Sequence, residues 1–129
     1  MNKPRILIAE DEVLILEGTL RPVLKAHFDI VAAVGNGPDA IAAAEEHRPD
    51  VALLDVSLPG LRGFDVARKI LASQPACKVL FVSCYAEKAY VEAARELGAS
   101  GYVLKGRVFS ELVNAIRTAQ SGEFYESAV

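Results

Sequence analysis

Each polar side chain in this sequence that is suited to chemistry directly follows a short apolar run. Glu10 and Asp11 follow RILIA (Arg5 to Ala9), Asp55 follows VALL (Val51 to Leu54), Ser83 follows a run beginning at Lys78, and Lys105 follows YVL (Tyr102 to Leu104). Acids, a hydroxyl and an ammonium form the set that phosphoryl transfer needs. A carboxylate can attack phosphorus to give an aspartyl phosphate. The charge on the equatorial oxygens then calls for a divalent cation, an ammonium and a hydroxyl. Asp55 is the candidate nucleophile, Asp11 would hold the cation beside it, and Lys105 and Ser83 supply the other two groups. Like-charged acids raise one another's pKa unless a cation is shared among them. Mg²⁺ prefers one or two carboxylates with waters and phosphate oxygens, which matches this supply. Singly, each residue has a plainer reading: Asp55 as a turn starter, Asp11 as a helix N-cap, Ser83 as a polar strand end, Lys105 as a solvated charge.

The elements that position these groups alternate along the chain. Strands are predicted over 5–9, about 29–34, 51–54, 78–82 and 102–104, and helices follow each of them. Val51 to Leu54 is apolar on both faces, the pattern of a central parallel strand covered by helices above and below. Pro22 lies inside the first helical pattern and predicts a kink there. Pro38 suits the first turn of the second helix, and Gly98 reads as the left-handed residue closing the fourth, predicted over about 87–97. That fourth helix carries Ala89, Ala93 and Ala94 and has little apolar anchorage. Phe109, Leu112, Val113 and Ile116 give the last helix its face, and the pattern stops beyond Gly122. Strand–helix alternation with short connections predicts an α/β fold, a flavodoxin-like (βα)5 doubly wound sheet of five parallel strands. In the order 2-1-3-4-5, the crevice at the switch point holds Asp11 beside Asp55.

The 129 residues allow one domain, with the organised part ending at 121 and residues 122–129 a tail or the start of a linker. Hydrophobic residues at 52% and charged residues at 24% are globular values. A net charge of −3 gives no broad electrostatic reason to bind nucleic acid. No apolar run is long enough to span a bilayer and the start carries no signal-peptide pattern, so a cytoplasmic location is expected. Cys77 and Cys84 flank a strand whose ends lie roughly 20 Å apart, so they cannot pair with each other. His27 and His47 are isolated and read as solvated residues near helix ends.

These motifs together resemble the receiver domain of two-component response regulators, from Ile6 to about Gln120. The resemblance rests on Glu10-Asp11, on Asp55-Val56-Ser57-Leu58-Pro59 with Gly63, on Ser83, and on GYVLK at Gly101 to Lys105. It implies that Asp55 is the phosphoacceptor and that Asp11, Asp55 and the Ser57 carbonyl ligate Mg²⁺, with Glu10 acting through water. It further implies that Lys105 and Ser83 bind the phosphoryl group and that Ser83 and Tyr102 form the switch. Tyr102 also reads as an ordinary half-buried strand tyrosine. The donor would be a histidine kinase or phosphotransfer protein, and the face of the fourth helix, fifth strand and fifth helix would control an output, with a second copy as a further partner. GYVLK, the last helix and Ser121-Gly122-Glu123 resemble receivers of the NarL/FixJ type, which usually precede a DNA-binding domain, so the output expected is transcription.

Ser57, Cys84 and Tyr85 lie around the approach to Asp55 and are the positions expected to set access and the lifetime of the phosphorylated state. Cys84 stands where alanine is usual in this family, and Gly106 where proline is frequent. Tyr85 is bulky enough to cover the site, and its plainer reading is packing on the fourth helix. Two other functions compete with this one. A pseudo-receiver used only for protein contacts would have lost part of the acid, lysine or hydroxyl set. A hydrolase of the haloacid-dehalogenase kind carries its nucleophile after the first strand, whereas Asp55 follows the third. The domain is therefore expected to act only on its own phosphorylation, not as an enzyme on other substrates.

Overall fold

The computed structural model describes residues 3–127. Six parallel strands form one sheet in the order β2-β1-β3-β4-β5-β6: β1 (Arg5–Ala9), β2 (Asp29–Val34), β3 (Val51–Leu54), β4 (Lys78–Ser83), β5 (Gly101–Leu104) and β6 (Tyr125–Glu126). The first five take the predicted order. The sixth is a correction to the reading of the chain beyond Gly122, where two residues are too few to show a strand period.

Helix α1 is composite, with an α segment Val13–Ile15, a π segment Leu16–Leu20 and a second α segment Arg21–Lys25. Pro22 explains this irregularity. It has no N–H for the carbonyl four residues back, and the Arg21 N–H instead reaches the Leu16 carbonyl, one residue further than in an α-helix. The wide turn places Pro22 in the first turn of the segment that follows, where it is tolerated.

The remaining helices are α2 (Gly37–His47), α3 (Gly63–Ser73), α4 (Lys88–Leu97) and α5 (Val108–Gln120). Asn36 caps α2 by accepting the Asp39 N–H at 2.8 Å. Gly98, with φ 97°, closes α4 as predicted. His27 is exposed, and His47 stands in the last turn of α2.

Alternation along the strands divides the core into two layers. Leu7, Ala9, Ala52, Leu54, Val79 and Phe81 face α2, α3 and α4. Ile6, Ile8, Val51, Leu53, Leu80 and Val82 face α1 and α5. The central strand β3 is buried along its whole length, so its end is a fixed platform for Asp55. No helix among the described residues is long and apolar enough to cross a membrane.

Candidate functional site

The carboxyl ends of β1, β3, β4 and β5 lie along one edge of the sheet and bring the predicted residues to it. β1 delivers Glu10 and Asp11, and the Asp55 N–H donates to the Ala9 carbonyl at 3.1 Å, which fixes the acid after β3 beside the acids after β1. Gly63 keeps this turn tight, since a Cβ there would run into the Asp55 carbonyl. Carboxylate oxygens of Glu10, Asp11 and Asp55 all lie within 4.8 Å of one another, a cluster suited to a metal ion.

Lys105 offsets part of the charge of the two buried acids of this cluster. Its Nζ lies 2.8 Å from Asp55 Oδ2 and 2.9 Å from Glu10 Oε1. The Asp55 contact is a hydrogen bond, whereas the Glu10 contact is an ion pair without hydrogen-bond alignment. Burial would lower the Lys105 pKa, but the two carboxylates outweigh it and hold the ammonium above its ordinary value. Burial pushes the Glu10 carboxyl up, opposed by Lys105 and by the Glu12 N–H on Oε2 at 3.0 Å. Asp55 Oδ1 accepts the Ser57 N–H at 3.2 Å. Asp11 alone of the three acids is exposed, and among the described residues its carboxylate accepts no hydrogen bond. It does not cap α1, whose N-cap is Glu12.

The donor chemistry fits a hard divalent ion, since the site offers oxygen ligands only and one of them opens to solvent. An adjoining cleft of about 520 Å³, with Asp11, Ser57, Arg62, Tyr85 and Tyr90 among its walls, gives an approach to the acids.

Ser83 ends β4 fully buried, and its Oγ accepts the Tyr85 N–H at 3.1 Å. Tyr102 is 1% exposed, and its hydroxyl donates to the Tyr85 carbonyl at 2.7 Å. Burial pushes the Tyr102 phenol up to about 12. The plainer reading of Tyr85 is met, since its ring stacks on Tyr90 of α4 at 4.7 Å, and its hydroxyl also lies 3.1 Å from Ser57 Oγ across the cleft. Cys84 is exposed, and Cys77 is buried.

Sequence reasoning missed one feature of the site. Tyr85, Tyr90, Phe64, Phe81 and Tyr102 form a continuous series of ring contacts, with centroids 4.7 to 6.4 Å apart. The Tyr102–Tyr85 hydrogen bond closes the series on itself. Five aromatics from four elements and the β4–α4 loop carry no local spacing signal, and only the packing reveals them.

Comparison with known proteins agrees with this geometry. The model of the response regulator receiver domain matches residues 6–117. The uncharacterized transcriptional regulatory protein YxjL of Bacillus subtilis is 36% identical over 124 residues, covering 95% of this chain and 56% of YxjL. Response regulator GacA of Pseudomonas aeruginosa is 35% identical over 124 residues, covering 95% of this chain and 58% of GacA. The chain thus spans little more than half the length of these curated relatives. Among solved structures, the signal receiver domain of NarL from Mycobacterium tuberculosis superposes with a TM-score of 0.87 at 32% identity, covering 95% of this chain and 100% of that one. A LuxR-family two-component response regulator from Aurantimonas sp. SI85-9A1 gives 0.89 at 29% identity, covering 96% and 89%. With the family model matched over most of its length and the fold shared with these solved receivers, this chain belongs to the response regulator receiver domains.

Proposed function

We propose that Asp55 accepts a phosphoryl group from a phosphohistidine of a histidine kinase or phosphotransfer protein in a Mg²⁺-dependent reaction. The observation that carries this reading is Lys105 Nζ held between Glu10 and Asp55 in a cluster of three acids. An Asp55 oxygen forms the new bond to phosphorus as the phosphorus–nitrogen bond of the donor breaks. Asp55, Asp11 and the Ser57 carbonyl would hold the Mg²⁺, which supplies charge compensation to the phosphoryl oxygens. Glu10 acts on the ion through water, because its two oxygens already serve Lys105 and the Glu12 N–H. Lys105 is placed to follow the phosphoryl oxygens, and Ser83 binds them by giving up its bond with the Tyr85 N–H. The catalysis is confined to the domain's own phosphorylation and dephosphorylation.

The output is a population shift: a phosphoryl group displaces an equilibrium only if one conformation binds it better. Ser83 and Tyr102 both bond to the Tyr85 backbone, so a displacement of Ser83 reaches Tyr102 through one residue. The α4–β5–α5 face, with β6 along its strand edge, would carry the change to an output domain or a second copy. Transcriptional control is the output proposed, because YxjL carries that description.

Ser57 and Tyr85, bonded across the approach to Asp55, would limit entry of water, with Cys84 at the rim, and slow the loss of phosphate. Labelling with acetyl phosphate, with and without Mg²⁺, tests the function. Mg²⁺-dependent labelling of Asp55 is expected. Phosphate found on Ser83 or Ser57 instead would overturn the assignment.

A further inference from the structure

After α5, Gly122 adopts φ 96° and turns the chain back along the sheet. Tyr125 and Glu126 pair in parallel with Gly101 and Tyr102, so that β6 covers what would otherwise be the edge of β5. The Tyr125 N–H donates to the Ser100 carbonyl and the Ser127 N–H to the Tyr102 carbonyl, both at 3.1 Å. Ser127 Oγ accepts the Leu104 N–H at 3.0 Å, and Ser127 itself is buried.

Side chains tie the same segment to both flanking helices. The Arg95 guanidinium of α4 lies 4.2 Å from the centre of the Phe124 ring and 3.2 Å from Glu126 Oε1. The Tyr125 hydroxyl donates to Glu111 Oε1 of α5 at 2.9 Å. A two-residue strand alone would hold weakly. These contacts bind the segment to β5, α4 and α5 together.

We propose that residues 123–127 are an intramolecular strap that locks Tyr102 inside the core. Tyr102 sits on the last strand before β6, and in this proposal its ring leaves the core past the outer side of β5. The docked strap closes that route, with Glu126 paired to Tyr102 and Phe124 packed on the apolar cluster that contains the Tyr102 ring. Strap docking and the buried Tyr102 therefore favour each other, and by linkage each shifts the other by the same factor. A partner that takes the edge of β5 must first displace the strap and thereby releases Tyr102. The consequence for phosphorylation rests on the reading of Asp55 above, together with the premise that the phosphoryl group favours the buried tyrosine. The consequence for Tyr102 does not.

The test is fluorine NMR on residues 1–129 carrying 3-fluorotyrosine, with the Tyr102 signal assigned through Tyr102→Phe. One altered chain combines Ser127→Pro and Glu126→Lys, which removes the N–H given to Tyr102 and reverses the charge facing Arg95. A second carries Arg95→Ala, which keeps the strap sequence intact. In both, the Tyr102 signal is expected to move toward the position of free fluorotyrosine, and the affinity for beryllofluoride with Mg²⁺ to fall by about fivefold. A Tyr102 signal at its wild-type position in both chains overturns the strap. A wild-type chain that takes up no beryllofluoride counts against the Asp55 reading and leaves the Tyr102 comparison intact.

Discussion

The centre of the sheet and its β5 side are built on different terms. At the centre, β3 is buried along its whole length, and Asp55 is held by the Ala9 carbonyl, the Ser57 N–H and Lys105. On the β5 side, α4 buries only Val91 and Ala94, and the side chains that tie the strap to α4 and α5 are partly exposed. Its counterpart on the other face, α5, buries Val108, Leu112, Ala115, Ile116 and Ala119. Chemistry needs fixed geometry, which the packed centre provides. A switch needs two arrangements close in free energy, and a sparsely anchored helix provides those.

The largest effect falls at the centre. Asp55→Asn is expected to abolish acetyl-phosphate labelling, because an amide is neither a nucleophile nor a good ligand for the ion. Labelling that persists in this variant, read by intact mass, would move the chemistry away from β3.

Next in size is the contrast between helices. Leu112→Ala removes a fully buried side chain and should cost about 3 kcal/mol, whereas Val91→Ala in α4 should cost about 1 to 2 kcal/mol. Urea unfolding of the two variants measures the difference. Equal losses would mean that α4 is anchored as firmly as α5.

Tyr85 joins the two regions, reaching Ser57 with its hydroxyl and α4 with its ring. Tyr85→Ala should speed loss of phosphate from Asp55 roughly tenfold, or about 1.4 kcal/mol of barrier. Single-turnover decay reads this directly. Decay at the wild-type rate would leave Tyr85 a packing residue only.

The smallest effect concerns pH. Burial pushes the Cys77 thiol up to about 11 from 9.0, so the folded state favours its protonated form. Stability from this group is fully present below pH 9 and is lost as pH rises toward 11. Cys77→Ser should flatten that part of the stability curve in alkaline urea titrations. The exposed Cys84 should react with a thiol reagent in the native protein, and Cys77 only on unfolding. Equal reaction rates for the two would show that the turn between α3 and β4 opens readily.

Most of this fold and site was legible in the sequence, for a local reason. The runs RILIA, VALL and the one from Lys78 are apolar on both faces, which only a covered strand tolerates, and their polar terminators must then share one edge. Glu10, Asp11, Asp55, Ser83 and Lys105 follow from that rule alone, as does the irregular helix around Pro22, where the missing N–H is a property of the residue itself. What depended on tertiary structure had no local signature. Lys105 lies between Glu10 and Asp55 because β5 and β1 flank β3 and β4, which sequence distance does not reveal. The aromatic series from Tyr85 to Tyr102 is assembled from rings that α3, β4, β5 and α4 bring together. Tyr125 and Glu126 form a strand because β5 presents unpaired backbone groups between Arg95 and Glu111. A two-residue strand has no period of its own to read, so its conformation comes from the surface on which it docks.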